Sequence, residues 1–184
     1  MQDFLSGTIK LFKYYKSLGD KTFEQITEDE KFFWQYNEQS NSIAIIVKHM
    51  HGNMLSRWTD FLTSDGEKEW RQRDAEFDND IKSKTELLEK WDEGWACLMD
   101  ALEALNPDDL NKTIYIRNMG HSVVEAITRQ LAHYSSHVGQ IMFLGKMIAG
   151  NNWQSLSISK GNSEKYNQEK FSQPKQKKHF TEES

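Results

Sequence analysis

The sequence is poor in cysteine and proline, and each shortage excludes a class of structure. Cys97 is the single cysteine among 184 residues, so no disulfide can form within the chain. A small secreted protein held by disulfides is therefore excluded, and a reducing cytoplasm is expected. The two prolines, Pro107 and Pro174, leave long stretches free to form uninterrupted helices. This composition favours helices over an all-β architecture.

The chain also lacks a long apolar run and an excess of positive charge. Its longest apolar stretch, Ile43–Val47, is far shorter than the roughly 20 residues that a membrane-spanning helix needs. The first residues, Met1–Gly7, have neither the basic region nor the apolar core of a signal peptide. A formal net charge of −5 argues against a phosphate-binding surface. We expect a cytoplasmic protein with neither a membrane nor a nucleic acid as its partner.

Four long segments carry apolar residues at three- and four-residue steps, which is the spacing of one helix face. Ten Phe, six Trp and six Tyr add large side chains that can fill a core. A long connector around Glu69–Asp78 and an extended piece at Thr113–Ile116 separate the segments. The predicted helices cover residues 3–18, 42–62, 83–105 and 122–149. This pattern predicts an all-α four-helix bundle over residues 1–150, with a C-terminal extension over residues 151–184.

Local signals predict where individual helices begin and end. Gly19 and Asp20 follow the first apolar periodicity and are expected to end that helix. Thr27, three residues before Glu30, matches a capping box and predicts a short helical piece in the next linker. Ser83 and Glu86 match another capping box, which predicts the start of the third helix.

Two histidines lie four residues apart in the fourth predicted helix. His133 and His137 therefore share one helix face, with Cβ atoms about 5–6 Å apart. Two imidazoles in this arrangement can share one metal ion. A lone pair of this kind is more often bonded to other side chains or to water. A third histidine in the right place would favour the metal site.

Two candidates for the third histidine occur on the second predicted helix. His49 and His51 are two residues apart, so they cannot face the same way. The apolar periodicity slightly favours His51, although this helix is apolar over most of its circumference. His121 is expected in a cap or loop, and His179 in a solvated tail. The residues alone leave the choice open.

Other site patterns are missing or ambiguous. The sequence contains neither the Glu-x-x-His of carboxylate di-iron bundles nor the His-Glu-x-x-His of zinc proteases. Arg129, one turn before His133, is a candidate for binding an acidic group of a substrate. An ordinary salt bridge is an equal alternative for this arginine. Cys97 is expected to be a small buried hydrophobic residue.

The runs Ser42–His49 and His133–Ile141 resemble the DinB-like superfamily of bacterial metalloproteins. This resemblance implies an up-down-down-up four-helix bundle. It also implies a metal triad made of His49, His133 and His137, so that His49 is the ligand on the second helix.

Three further runs resemble an uncharacterised bacterial branch of that superfamily. They are the connector Trp70–Phe77, the run Arg129–His133 and the segment Trp153–Ile158. Ser159 departs from the branch, in which proline is expected at this position. The resemblance covers the chain to about residue 167 but does not assign a reaction.

The resemblance implies a function of the following kind. Characterised members include thiol S-transferases that use bacillithiol and an isomerase that depends on mycothiol. We therefore expect a divalent transition metal, zinc or nickel first, with iron, cobalt or manganese as alternatives. The expected substrate is a small molecule such as a low-molecular-weight thiol, and a small-molecule hydrolase is the second possibility. The alternative is a non-catalytic, metal-stabilised bundle acting in stress response or protein interaction.

Aromatic residues outside the four apolar faces predict a homodimer, a state often found among relatives. These residues are Phe32, Phe33, Trp34, Trp70 and Phe77. Packing under the protein's own loops is the alternative.

The C-terminal extension is expected to be only partly packed. Trp153, Leu156 and Ile158 predict that the segment 153–163 folds back onto the bundle, where it would cover the core or wall the metal cleft. The residues from Pro174 onward are expected to contribute little.

Overall fold

Four long helices form the architecture of this computed structural model, which describes residues 2–183. The elements are α1 (Gln2–Glu24), α2 (Ile43–Trp58), α3 (Lys84–Glu103), β1 (Thr113–Ile116), β2 (Met119–Ser122), α4 (Val123–Ala149) and α5 (Ser163–Phe171). The predicted all-α bundle is confirmed, with a small two-stranded hairpin added to it. None of the helices within residues 2–183 combines the length and apolarity that crossing a bilayer requires.

The helices run up-down-down-up, as the resemblance implied. Residue numbers rise together along α2 and α3, and likewise along α1 and α4, so each of these pairs is parallel. Numbers run in opposite directions along α1 and α3. Between α2 and α3, His51 contacts Glu93 and Met54 contacts Cys97. Between α1 and α4, Phe12 contacts Tyr134 and Thr22 lies beside Gly145. Between α1 and α3, Lys13 contacts Glu103 and Asp20 contacts Trp91. Because α2 and α3 are parallel, the chain between them must cross the length of the bundle.

Helix α1 continues through Gly19 and Asp20, so the predicted end was wrong. A Cβ atom at Gly19 would lie 2.4 Å from a ring carbon of Trp91 on α3. Asp20 Oδ1 accepts a hydrogen bond from Trp91 Nε1 at 2.7 Å. The glycine thus allows the close approach of two helices, a use of glycine that the sequence does not distinguish from a helix stop.

Other helix boundaries also differ from the predictions. Helix α2 ends at Trp58, four residues early, and Asp60 has a left-handed φ of 50°. The 3₁₀ turn Asp29–Phe33 has Glu28 rather than Thr27 at its N-cap position, so the expected capping box was wrong. Ser83 caps α3, with Oγ accepting from the third helical N–H, but the Glu86 carboxylate accepts from Lys82 N–H at 2.9 Å, so the reciprocal half of the expected capping box was wrong.

A β-hairpin precedes α4. The extended segment at β1 was predicted, but its antiparallel partner β2 was not, because Met-Gly-His-Ser shows no clear strand pattern. Arg117 and Asn118 form the turn with φ values of 55° and 59°, as a type I′ turn requires. The carboxylate of Asp65 accepts the backbone N–H groups of both turn residues at 2.8 and 2.9 Å. This bond pair ties the hairpin to the connector that follows α2.

The centre of the core is aromatic. Phe12 of α1, Trp95 of α3 and Tyr134 of α4 are at most 1% exposed, and their ring centroids lie 6.1–6.4 Å apart. The Tyr134 hydroxyl accepts from Trp58 Nε1 at 3.1 Å and donates to Asn53 Oδ1 at 2.9 Å. These bonds fix the register between α2 and α4.

The aromatic residues expected at a dimer surface divide into two groups. Phe32 is fully buried, and Phe33 and Trp34 are half-buried, so the protein's own chain covers them. Trp70 and Phe77 remain 56% and 36% exposed. The dimer stays a prediction that now depends on fewer residues.

The start of the C-terminal extension contacts the bundle. Gln25 and Gln154 exchange two hydrogen bonds, of 3.2 and 2.7 Å. The Trp153 ring lies next to Gly145 of α4, and Leu156 packs against the core. Ile158 is 46% exposed, so the close packing reaches only to Leu156. Helix α5 follows, which the fading periodicity did not predict.

Candidate metal centre

Three histidines from two helices meet at one side of the bundle. His49 lies on α2, and His133 and His137 lie one turn apart on α4. Ser42 caps α2 by accepting from the third helical N–H. Ser122 caps α4 through the reciprocal bonds of a capping box. Both helices therefore start at fixed points, and the buried tyrosine after His133 holds them in register.

The ring nitrogens of the three histidines are close to one another. His133 Nε2 lies 3.3 Å from His49 Nε2 and 3.0 Å from His137 Nε2. One nitrogen from each ring falls within 4.8 Å of the other two, so the group could hold a metal ion. Two nitrogens bound tetrahedrally to one zinc ion at about 2.0–2.1 Å are about 3.3 Å apart. The separations from His133 match that requirement.

The other nitrogen of each ring, Nδ1, lies against the oxygen of a neighbouring side chain. The three contacts join His49 to Glu76 at 2.9 Å, His133 to Gln130 at 3.3 Å and His137 to Gln140 at 2.9 Å. Each Nδ1 can donate its hydrogen to that oxygen, which leaves the Nε2 lone pair free. Three lone pairs that face one another repel, and a cation between them removes the repulsion. The donor set therefore fits a metal ion.

Burial keeps the histidine rings of α4 neutral. Burial, together with the neighbouring His137 and His49, lowers the pKa of His133 to about 3. Burial also lowers the pKa of His137 below its usual value. Neutral imidazole is the form that binds metal, so these two rings need little deprotonation before binding near pH 7.

Glu76, which no sequence motif marks, is held in place behind His49. It is 6% exposed, and Arg71 donates to its carboxylate from Nε at 2.7 Å and from Nη2 at 3.0 Å. Burial alone would raise the pKa of Glu76, but the bonds from His49 and Arg71 lower it overall. A Cβ atom at Gly52 would lie 2.4 Å from Glu76 Oε1, so the glycine makes room for this carboxylate. The charged connector was the only sequence signal for these residues.

The connector is fastened over α2 near His49. Lys48 Nζ donates to Ala75 O and to Asp80 Oδ1, both at 2.5 Å. The Phe77 ring stacks on His49, with centroids 4.9 Å apart and planes 26° from parallel. The connector thus supplies both a hydrogen-bond acceptor and an apolar cover for His49.

The remaining histidines lie away from this group. His51 Nε2 bonds Glu93 on α3 at 2.7 Å, so the slight preference that periodicity gave to His51 was wrong. Helix α2 is buried around most of its circumference, and a helical wheel does not discriminate between its faces. His121 lies in β2 rather than in a cap or loop. His179 bonds Thr181 in the tail.

Cys97 is half-buried rather than fully buried and does not belong to the cluster. Its Sγ lies 3.7 Å from Thr59 Oγ1 and 4.0 Å from Met54 O. Burial raises the pKa of the thiol, which disfavours a reactive thiolate.

A cleft of about 280 Å³ opens beside the histidines. His49 and His133 form part of its wall, and Arg129 lines it as an exposed side chain. Within residues 2–183, Arg129 forms no ion pair, so the salt bridge considered for it is not observed there. The cleft connects His49 and His133 to solvent.

One family model matches the chain. Its description is "Protein of unknown function (DUF1572)", and the match covers residues 1–162. This span includes all four long helices, the connector and the three clustered histidines. DUF1572 is a DinB-like family. No curated protein and no solved structure matches the chain.

Proposed function

This chain belongs to the DinB-like family DUF1572, and from that premise we propose that it is a metal-dependent enzyme acting on a small molecule. One observation carries the proposal. The Nε2 atoms of His49, His133 and His137 converge, while their Nδ1 atoms contact other side chains. This orientation supports a ligand role for the three rings over an ordinary hydrogen-bond network.

Zinc or nickel suits three neutral imidazoles best, with iron, cobalt and manganese as alternatives. Such an ion would supply a Lewis acid with positions left open for water or a cosubstrate thiol. The chain's own part is to fix the rings. Glu76 orients His49 from behind, and Phe77 keeps water from one face of that ring.

The cleft supports a catalytic role over a purely structural one. A metal that only stabilises the bundle would fit a closed site. Here His49 and His133 border an open cleft of about 280 Å³, which a small molecule can enter. The alternative, a metal-stabilised bundle in stress response or protein interaction, does not account for this cleft.

Thiol S-transfer is the reaction we propose first, and hydrolysis of a small molecule second. Cys97 lies outside the cleft lining, so a low-molecular-weight thiol would have to enter as a cosubstrate. Arg129, at the edge of the cleft, would hold an acidic group of that thiol. A thiol cosubstrate and a single cysteine both fit a reducing cytoplasm.

The test combines metal analysis with an activity assay. The purified protein is expected to bind one transition-metal ion per chain and to consume a low-molecular-weight thiol in the presence of one of a panel of electrophiles. His133→Ala should abolish both properties. His51→Ala is the matched control on α2 and should keep both. A wild-type protein that takes up no metal after reconstitution would refute the proposal.

A further inference from the structure

Every arginine of the chain lines the same cleft. The sequence has 23 basic residues, of which only five are arginine. All five border the cleft beside the histidines, and no lysine within residues 2–183 does. They come from separate parts of the chain, namely Arg57 from α2, Arg71 and Arg73 from the connector, Arg117 from the hairpin turn and Arg129 from α4. The fold therefore collects one residue type, from distant positions, at one place.

Arginine and lysine differ in the ligands they suit. The guanidinium group is planar and always charged, and its fork of donors matches the two oxygens of a carboxylate or phosphate. Lysine is a compact point charge on a flexible stem. A cleft that has only arginine among its basic residues is suited to planar, paired recognition of acidic groups.

Two of the five arginines are buried against carboxylate partners. Arg57 and Arg71 both bond Glu67 Oε2, at 3.0 and 3.2 Å, and Arg71 also holds Glu76. Their side chains are only 8% and 2% exposed. These two arginines form the floor of the cleft, where Glu67 and Glu76 balance their charge.

The other three arginines are more exposed and less fully paired with carboxylates. The side chains of Arg73 and Arg117 are 52% and 60% exposed, and Arg129 is exposed as well. Arg117 Nη2 lies 3.3 Å from Glu67 Oε2, a carboxylate oxygen that also pairs with Arg57 and Arg71. Arg73 Nη1 lies 3.9 Å from Oδ1 of the exposed Asp74, and the Arg73 guanidinium lies above the Phe77 ring at 5.5 Å. Five positive charges thus lie against three carboxylates, of which Glu76 is buried, Glu67 is half-buried and Asp74 is exposed, in a protein whose net charge is −5.

We propose that this cleft binds a small molecule with at least two negative charges, as carboxylate or phosphate groups. Arg73, Arg117 and Arg129 would hold the acidic groups, and the reactive end of the same molecule would reach His49 and His133. The placement of the reactive end at the histidines rests on the proposed function, whereas the anion site is inferred from the arginines alone. A volume of about 280 Å³ admits a small molecule, and the net charge of −5 opposes a polynucleotide.

The experiment titrates inorganic phosphate and succinate, separately, into the metal-loaded protein and into the protein treated with EDTA. Calorimetry at low and high salt measures the affinity. Arg129→Gln and Arg117→Gln should each weaken binding about tenfold or more, because each removes a charge-assisted bond. Arg129→Lys should recover only part of the loss. Lys160→Gln removes the same charge from an exposed residue that does not line the cleft, and should change the affinity less than twofold. The better of the two anions identifies the acidic group.

The outcomes separate this inference from the proposed function. Arginine-dependent binding that persists after EDTA treatment supports the anion site even if the metal proposal fails. Affinities that the arginine variants leave unchanged overturn it, including the case in which EDTA abolishes binding because the metal alone holds the anion. Circular dichroism and thermal unfolding check that each variant is folded. Arg129 is exposed, so Arg129→Gln decides the question if Arg117→Gln fails to fold.

Discussion

Glu76→Gln tests the metal centre at a residue that would not itself bind the metal. The carboxylate receives three contacts, two from Arg71 and one from His49 Nδ1. Glutamine has nearly the same shape but offers one acceptor oxygen, and its amide nitrogen would place a donor against the guanidinium. The variant therefore keeps the packing of the connector and removes the negative charge of the Glu76 side chain.

Two magnitudes follow from these contacts. Loss of one or two charge-assisted hydrogen bonds should lower the free energy of unfolding by about 2–4 kcal/mol. Loss of the carboxylate behind His49 should weaken metal affinity by about 10–100-fold, which is about 1.4–2.8 kcal/mol. Urea unfolding in EDTA measures the first quantity without a contribution from bound metal. Competition with a chelator of known affinity measures the second.

The chain offers a matched control. Glu93 also contacts a histidine nitrogen, at His51 Nε2, but its side chain is 63% exposed. Glu93→Gln makes the same chemical change at a surface pair, so stability should shift by less than about 0.5–1 kcal/mol, with metal affinity unchanged. A folded Glu76→Gln protein with wild-type metal affinity would refute the role assigned to Glu76. Equal losses in both variants would refute it as well.

Two further predictions concern the bundle and its extension. Gly19→Ala places a Cβ against the buried Trp91 ring and should lower the free energy of unfolding in urea by about 1–3 kcal/mol. Gly7→Ala in the same helix meets nothing within 4 Å and should be neutral or stabilising by up to about 1 kcal/mol. An unchanged stability of Gly19→Ala would show that the helices do not approach so closely. Ending the chain at residue 172 removes Phe180, which is 59% exposed and contacts Tyr14, and should leave the Tm nearly unchanged. Ending it at residue 152 also removes Trp153 and Leu156 and should lower the Tm by several degrees. Equal Tm values for the two truncated chains would contradict docking of the extension.

The sequence predicted the parts of this structure that depend on local periodicity. The helices α2 to α4 follow from apolar spacing, and the pairing of His133 with His137 follows from their four-residue separation on α4. The assignment of His49 needed the family resemblance, because α2 is apolar on most sides and the helical wheel slightly favoured His51. Periodicity is informative only where a helix has one exposed face.

The residues that complete the site were beyond prediction from local pattern. Glu76 reaches His49 across 27 residues, and the five arginines meet only after α2, the connector, the hairpin and α4 are assembled. The spacing of residues along the chain does not predict such contacts between distant segments. The error at Gly19 has a different cause, since a glycine permits both a helix end and a close helix contact.

The parallel course of α2 and α3 has a consequence for the order of folding. Because the two helices run the same way, residues 59–83 must return along the bundle before α3 begins, and this return supplies the segment that bears Glu67, Arg71, Arg73 and Glu76. A tight turn between antiparallel helices would leave no chain for that purpose. Closing so long a loop is entropically unfavourable until both helices are in place. We therefore expect the helical core to assemble first and the arginines and Glu76 to reach the histidines late, so that high-affinity metal uptake marks the end of folding.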